Sequence, residues 1–294
     1  MNALQISHLN KKYRDRFAVR DLTLEIPHGC IFGLLGRNGA GKTTTINCIL
    51  GFTEPTSGEI TIFGQNRSPE LFERIAYLPE GSVLEGFMTG REHANLRSSS
   101  FRSFDRARFA ELVERFDIDL SRRVGSLSKG QCQALALALV FAQGADLLVL
   151  DEPASGLDPV AQRLLLELIV HAGADGKTIL FSSHQIGDIE RTVERFAILK
   201  RGELRLHCDL EDVRHRRGVL ECTFASPPDA ALLRERLPGR YTLDGSMIRT
   251  YTDGNALEVR TALASLAPLE IREHDMTLED IFFETVDSHE EIAK

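Results

Sequence analysis

The chain has 294 residues and a formal net charge of −8, with 43% hydrophobic and 27% charged residues. Because this length exceeds what one hydrophobic core usually supports, we expect two domains, and the acidic balance argues against a protein built mainly to hold nucleic acid. Five cysteines without any Cys-x-x-Cys spacing indicate neither a zinc site nor a disulfide framework, and no apolar run approaches the ~20 residues that a membrane-spanning helix needs.

The N-terminal residues alternate between apolar and polar, which predicts two strands at residues 3–9 and 22–26. Tyr13 lies in the polar turn that joins them. An aromatic ring stacked on a purine contributes ~1–3 kcal/mol, so Tyr13 is a candidate for adenine stacking. A surface or packing tyrosine explains this residue equally well when it is considered alone.

The next segment has the pattern Gly-x-x-x-x-Gly-Lys-Thr of phosphate-binding loops. Its residues are Gly36, Arg37, Asn38, Gly39, Ala40, Gly41, Lys42 and Thr43. An apolar strand at 31–35 precedes it and a helix at 44–50 follows, so its backbone N–H groups and the helix dipole can bind phosphate. In such loops we expect Lys42 to reach the β- and γ-phosphates, Thr43 to ligate Mg²⁺, and Thr44 to bond a nearby phosphate.

A region of mostly helical pattern, residues 85–142, follows a strand that stops at Pro79, with the polar residue Glu80 directly after it. Within this region Ser128 can cap a helix, and Gly130 allows another backbone to approach closely. Such a helix N-terminus is a second candidate site for an anion. An ordinary capped helix explains the same residues when they stand alone.

Two apolar segments predict buried parallel strands that end in chemically active side chains. Residues 147–150 end in Asp151 and Glu152, and residues 178–183 end at His184. Because ligands bind at the carboxyl ends of such strands, Asp151 can hold Mg²⁺ through water and Glu152 can deprotonate an attacking water. The imidazole of His184 can bond a γ-phosphate or that water. When each segment is considered alone, the first can also be a strand that ends in solvated acids, and the second a strand that ends in a structural histidine.

The order of these motifs resembles the ATP-binding subunit of ABC transporters. Residues 36–43 are similar to the Walker A motif of that family, and residues 127–131 are similar to its signature motif. Asp151 and Glu152 match its Walker B aspartate and catalytic glutamate, and residues 155–158 resemble its D-loop. The resemblance therefore implies ATP and Mg²⁺ as cofactors and ATP hydrolysis as the activity.

Three further residues fit the same resemblance: Tyr13 as the adenine-stacking aromatic, Glu80 at the Q-loop and His184 as the switch histidine. Many family members have Gln at the Q-loop; a Glu there resembles a branch of drug and antibiotic exporters. The implied fold is α/β, an ABC-type P-loop NTPase domain at residues 1–205 with a helical signature subdomain at about 85–142.

The resemblance also implies partners. Two ATPase subunits pack head to tail, so that Ser128 and Gly130 of one close over the γ-phosphate that Lys42 of the other holds. The second subunit would be an identical or a related chain. A separate membrane-spanning permease would dock at residues 81–105, which places the chain in the cytoplasm on the inner face of the membrane, and no nucleic-acid partner is expected.

Residues 206–294 have the pattern of a small α+β domain. The predicted order is β-α-β-β-α-β, as in ferredoxin-like folds. The elements are strands at 218–224, 241–243, 247–251 and 269–273, helices at 229–237 and 256–266, and a final capped helix at 281–286. We favour a stabilising extension that supports the dimer over a ligand-binding domain.

Two functions remain open from the sequence alone. The first is the ATPase subunit of an exporter that drives a separate permease. The second is an ABC-type ATPase that acts on nucleic acid or a macromolecular complex, as some relatives do. The acidic composition and the single ATP-binding unit favour the first.

Overall fold

The computed structural model describes residues 2–81, 84–184, 186–187, 190–212, 217–239 and 241–287. The chain divides into two compact units, Met1–His207 and Cys208–Lys294. This division lies two residues from the boundary expected from the sequence. None of the described helices is both long enough and apolar enough to cross a membrane.

A six-stranded sheet forms the centre of the first unit, in the order β5-β6-β7-β3-β8-β9. Its strands are β3 (Ile31–Leu35), β5 (Ile75–Leu78), β6 (Leu147–Asp151), β7 (Thr178–Ser183), β8 (Arg195–Lys200) and β9 (Glu203–Asp209). The strands from β5 to β8 in this order pair in parallel, and β3, β6 and β7 are buried along their whole length. Continuous apolar runs predict this placement, since helices cover both faces of such sheets.

A second, antiparallel sheet has the order β2-β1-β4 and consists of β1 (Asn2–Tyr13), β2 (Arg16–Pro27) and β4 (Ser57–Ile62). Its apolar side chains share one core with the parallel sheet and with helix α1 (Lys42–Ile49). The first two strands are longer than predicted, and register shifts interrupt their pairing, with His8 and Asp21 at positive φ. Each shift breaks the alternation that the sequence prediction relied on.

The other α-helices in the described part of the first unit are α2 (Pro69–Phe72), α3 (Gly90–Ser100), α4 (Arg106–Arg115), α5 (Lys129–Phe141) and α6 (Pro159–Ala174). Helices α3 to α5 occupy the region predicted to be helical. Helix α3 ends in three consecutive serines, the last of which is Ser100. The three serine hydroxyls there donate to the carbonyl oxygens of Asn95 and Leu96, so the polar side chains are satisfied within the helix.

The second unit has the predicted β-α-β-β-α-β order. Its elements are β10 (Arg217–Thr223), α7 (Ala230–Arg236), β11 (Tyr241–Asp244), β12 (Met247–Asp253), α8 (Ala256–Ala264), β13 (Glu270–Asp275) and the final helix α9 (Leu278–Asp287). The sheet is antiparallel throughout, in the order β11-β12-β10-β13, as in a ferredoxin-like fold. A capping box of Thr277 and Asp280 begins α9, and Arg249 on β12 pairs with Asp280 at 3.0 Å.

Candidate functional site

The loops that follow the parallel strands meet at one edge of the six-stranded sheet. They line a cleft of about 840 Å³ together with the turn of the β1–β2 hairpin. The predicted residues that line it are Tyr13, Asn38, Gly39, Ala40, Gly41, Lys42, Thr43, Thr44, Glu80 and Glu152. Six other lining residues were not predicted from the sequence: Asp15, Arg16, Phe17, Ala18, Arg20 and Arg201.

The phosphate-binding loop depends on glycine at two positions that have left-handed backbone. Gly39 has φ 79° and Gly41 has φ 106°, a region that other residues rarely adopt. A Cβ atom at Gly41 would also lie 2.6 Å from the carbonyl oxygen of Ala18. Gly41 precedes α1 and offers no capping side chain, so the first N–H groups of that helix are available to an anion.

Two predicted binding residues, Gly36 and Arg37, shape the loop and do not line the cleft. The carbonyl oxygen of Gly36 accepts a hydrogen bond from Lys42 Nζ at 2.7 Å, and a Cβ atom there would lie 2.7 Å from the carbonyl oxygen of Leu199. The carbonyl oxygen of Arg37 accepts from the N–H of Ala40 at 3.0 Å. Both residues therefore fix the loop's path, which the sequence motif alone does not reveal.

Lys42, Glu152 and His184 form a continuous polar chain beside the loop. Lys42 Nζ lies 3.1 Å from Glu152 Oε1, and His184 Nδ1 lies 2.7 Å from Glu152 Oε2. The side chains of Lys42 and Glu152 are only 6% and 8% exposed, whereas that of His184 is half-exposed. Burial strengthens such a charge pair, because water screens it little.

The backbone of Glu152 holds its carboxylate between Lys42 and His184. Its φ is 48°, which is uncommon outside glycine, and its N–H donates to Ser182 Oγ at 3.0 Å. The N–H of His184 also donates to Glu152 Oε2, at 3.3 Å. Strained residues of this kind persist where the surrounding bonds fix them, often at functional sites.

Asp151 is fully buried, and its two carboxylate oxygens differ in their hydrogen bonding. Its Oδ1 accepts a hydrogen bond from Ser182 Oγ, whereas its Oδ2 has no partner among the described residues. A buried, unsatisfied carboxylate oxygen is costly, so this atom suits a divalent cation or its water ligand. Burial raises the pKa of Tyr77 on β5 to about 12, with a further contribution from the carboxylates of Asp151 and Glu80. The carboxylates of Asp151 and Glu80 therefore both lie close enough to Tyr77 to act on its hydroxyl.

The two signature residues, Ser128 and Gly130, lie elsewhere in the first unit. Ser128 caps α5 in a reciprocal arrangement: its Oγ accepts from the N–H of Gln131 at 3.1 Å, and Gln131 Oε1 accepts from the N–H of Ser128 at 3.0 Å. Ser128 is exposed and does not line the cleft that Lys42 lines. The structure therefore separates the two anion sites within one chain.

Helix α5 is tied to the segment after Glu152 at two points. A Cβ atom at Gly130 would lie 2.8 Å from the carbonyl oxygen of Gly156, so glycine is needed for this contact. Gln133, only 3% exposed, donates from Nε2 to the carbonyl oxygen of Pro153 at 3.0 Å. The sequence prediction missed Gln133, although its place at the start of an apolar helical run was a signal that it is buried.

Tyr13 is the last residue of β1 and pairs with Arg16 across the hairpin. Its ring is half-exposed on the wall of the cleft, and Lys11 Nζ lies 5.0 Å from the ring centre. The ring is thus accessible to a planar group in the cleft, and a purely internal packing role does not describe it.

Comparison with known proteins gives concordant matches. The family described as ABC transporter matches residues 19–155. The chain is 34% identical to the ABC transporter ATP-binding protein YhaQ of Bacillus subtilis (strain 168), over 96% of this chain and 98% of that protein. It is 33% identical to the Nod factor export ATP-binding protein I of Rhizobium leguminosarum bv. viciae, over 95% and 93%. It is also 33% identical to the bacitracin transport ATP-binding protein BcrA of Bacillus licheniformis, over 79% and 78%.

Solved structures give the same fold. An ATP binding subunit of an ABC transporter aligns with a TM-score of 0.67 and 33% identity, over 72% of this chain and 92% of that one. The dimeric ATP-binding cassette MJ0796 bound to ADP and Pi aligns with a TM-score of 0.64, over 70% and 98%. Its identity is 24%, so that likeness shows the fold alone.

Proposed function

The chain belongs to the ATP-binding proteins of the ABC transporter family and is an ATPase, and we propose that it powers export through a separate membrane permease. The polar chain of Lys42, Glu152 and His184 beside the phosphate-binding loop is the observation that carries the hydrolytic part. The export part is supported by the names of two relatives, which act in Nod factor export and bacitracin transport.

In the proposed reaction, the N–H groups of the loop and the ammonium of Lys42 bind the β- and γ-phosphates of ATP. Because Lys42 Nζ lies 3.1 Å from Glu152 Oε1, a γ-phosphate held by Lys42 is within reach of a water that this carboxylate orients. Glu152 takes the proton of that water as the water oxygen bonds to the γ-phosphorus. The bond from this phosphorus to the β–γ bridging oxygen breaks, and ADP leaves with the electron pair. His184 holds the other oxygen of Glu152, so the carboxylate keeps its orientation.

Thr43, Asp151 and Glu80 are the residues that would hold Mg²⁺. The unsatisfied Oδ2 of Asp151 suits a hard divalent cation, which prefers oxygen ligands. When bound, the ion neutralises charge on the β- and γ-phosphates. Glu80 adds a carboxylate where a Gln would add none, which favours a cation and disfavours further anions. Tyr13 would stack on the adenine.

The active site is proposed to be shared between two ATPase subunits packed head to tail. Ser128 and Gly130 lie away from the cleft of their own chain, and Ser128 is exposed at the start of a helix. An exposed helix N-terminus with a hydroxyl can close over the γ-phosphate held by Lys42 of the other subunit. Closure would then couple ATP binding to movement.

The permease is proposed to dock at residues 81–105, on the cytoplasmic face of the membrane. Phe87 and Leu96 in this region are 71% and 55% exposed, which suits a protein contact. Ser82 and Val83 lie outside the described residues. The second unit is proposed to be a stabilising extension that supports the dimer.

Affinity purification tests the transporter proposal. The tagged full-length chain is captured from membranes of its host in mild detergent, and the co-purifying proteins are identified by mass spectrometry. We expect a polytopic membrane protein in near-equal amount, which would also name the permease. Recovery only from the soluble fraction, with ribosomes or nucleic acid, would contradict the proposal and favour the nucleic-acid alternative.

A further inference from the structure

The turn between β8 and β9 consists of Arg201 and Gly202, and both have left-handed backbone. Arg201 has φ 54° and Gly202 has φ 82°. Hairpin turns with two positive φ values usually have Asn or Asp at the first of these positions, followed by Gly. The second residue follows that preference, but an arginine at the first position is unusual and brings a charged side chain to the cleft.

This turn is bonded to both walls of the cleft. The N–H of Gly202 donates to the carbonyl oxygen of Ala40 in the phosphate-binding loop at 2.9 Å. The carbonyl oxygen of Gly202 accepts from the N–H of Arg20 at 2.7 Å, on the strand that forms the hairpin with the Tyr13 strand. Arg201 is therefore held between the phosphate-binding loop and the hairpin that presents Tyr13.

Strand order places Arg201 far from the acidic end of the cleft. Asp151 is the last residue of β6 and Glu152 follows it, whereas Arg201 follows β8, and β7 and β3 lie between β6 and β8. Three strand spacings of about 4.8 Å separate the two strand ends by roughly 14 Å. The β- and γ-phosphates with their cation belong at the acidic end, so the other end of the nucleotide extends towards Arg201.

Arg20, the neighbouring arginine, is engaged within the protein. Its Nη1 lies 3.2 Å from Glu203 Oε1, and its guanidinium lies 4.7 Å from the centre of the Phe17 ring. These contacts fix Arg20 on the strand. Arg201 also lines the cleft, and it lies at the turn that is bonded to Ala40 of the phosphate-binding loop.

We propose that Arg201 is a nucleotide-binding residue that contacts the α-phosphate of ATP. The inference rests on the proposed nucleotide site and adds to it a contact on the side away from Mg²⁺. A guanidinium presents a planar pair of donors that matches two phosphate oxygens, and such charge-assisted bonds are among the strongest in proteins. The contact is common to ATP, ADP and AMP, and it is missing for adenosine.

Nucleotide binding by full-length variants tests this contact. Arg201→Asn removes the charge and keeps a residue that tolerates left-handed backbone, so the turn persists. Arg205→Ala is the matched control, since Arg205 pairs with Glu203 on β9 and does not line the cleft. Affinities for ATP, ADP, AMP and adenosine are measured by competition with a fluorescent ADP analogue.

For Arg201→Asn we expect affinity for all three phosphorylated nucleotides to fall by about tenfold or more, with adenosine unchanged. Arg201→Lys recovers part of the loss, and Arg205→Ala changes none of the affinities. Unchanged ATP and ADP affinity in Arg201→Asn would overturn the inference. An equal loss for adenosine would also overturn it, because the contact would then be to the base or the ribose. If the unaltered chain bound no ATP, the nucleotide site itself would be wrong.

Discussion

The starts of helices α1 and α5 look alike in sequence and differ in structure. Each combines small residues with a polar N-terminus, and each is a candidate anion site. At α1, Gly41 leaves the first N–H groups uncapped beside a buried lysine. At α5, the Ser128 hydroxyl already accepts from the N–H of Gln131, and Ser128 does not line the cleft that Lys42 lines. The first is equipped to bind phosphate within its own chain, whereas the role proposed for the second depends on a ligand that another subunit presents.

The sharpest test of the α1 site is Glu152→Gln. Removing the base should lower ATP turnover by about 10²–10⁴-fold while nucleotide binding by Lys42 and the loop remains. Turnover is measured by phosphate release and binding by equilibrium titration. The control is Glu59→Gln, an exposed acid on β4 outside the cleft. Near-normal turnover in Glu152→Gln would mean that another group is the base.

The α5 site is tested by Ser128→Arg. A large cation at this exposed helix start should block closure against a second subunit, so turnover falls by at least about tenfold, which corresponds to ~1.4 kcal/mol. Nucleotide binding by the isolated subunit should not change, since Ser128 does not line the cleft. Ser121→Arg, also exposed, serves as the control. Loss of nucleotide binding by the isolated subunit would contradict the head-to-tail arrangement.

Two glycines of the phosphate-binding loop form a matched pair. Gly39→Ala adds a Cβ atom with no neighbour within 4 Å and costs only the left-handed backbone, about 1–2 kcal/mol. Gly41→Ala has a backbone further from the left-handed region that other residues adopt, with φ 106° against 79°, and it adds a Cβ atom 2.6 Å from the carbonyl oxygen of Ala18. We expect Gly41→Ala to lower both unfolding free energy and ATP affinity more than Gly39→Ala does, as measured by urea titration and nucleotide binding. Equal effects would show that the loop moves to accept the new atom.

The smallest effect concerns the attachment of α5. Gln133→Leu leaves the carbonyl oxygen of Pro153 without its donor and should lower the unfolding free energy by about 1–3 kcal/mol. Gln131→Leu removes only a capping bond near the surface and should cost less, about 0.5–2 kcal/mol. Urea unfolding of both variants gives the comparison. A larger loss in Gln131→Leu would mean that the cap, and not the buried bond, fixes this helix.

Local chemistry explains why much of the site was predictable. The glycine spacing of the loop and the apolar runs that end in Asp151 and His184 depend on residues close together in sequence. The β-α-β-β-α-β order of the second unit follows from the same local periodicity, and the structure confirms it. The predicted strands at 3–9 and 22–26 were too short, because a register shift has no signature in hydrophobic alternation.

By itself, the sequence determined the family, the phosphate-binding loop and the acids at the strand ends, since each is a short pattern with its own chemistry. Tertiary structure decided which distant residues meet. Lys42 reaches Glu152, and Arg201 reaches the cleft, only because the order β6-β7-β3-β8 brings those strand ends to one edge. Strand order is set by the packing of the whole core, which no single segment of the chain encodes.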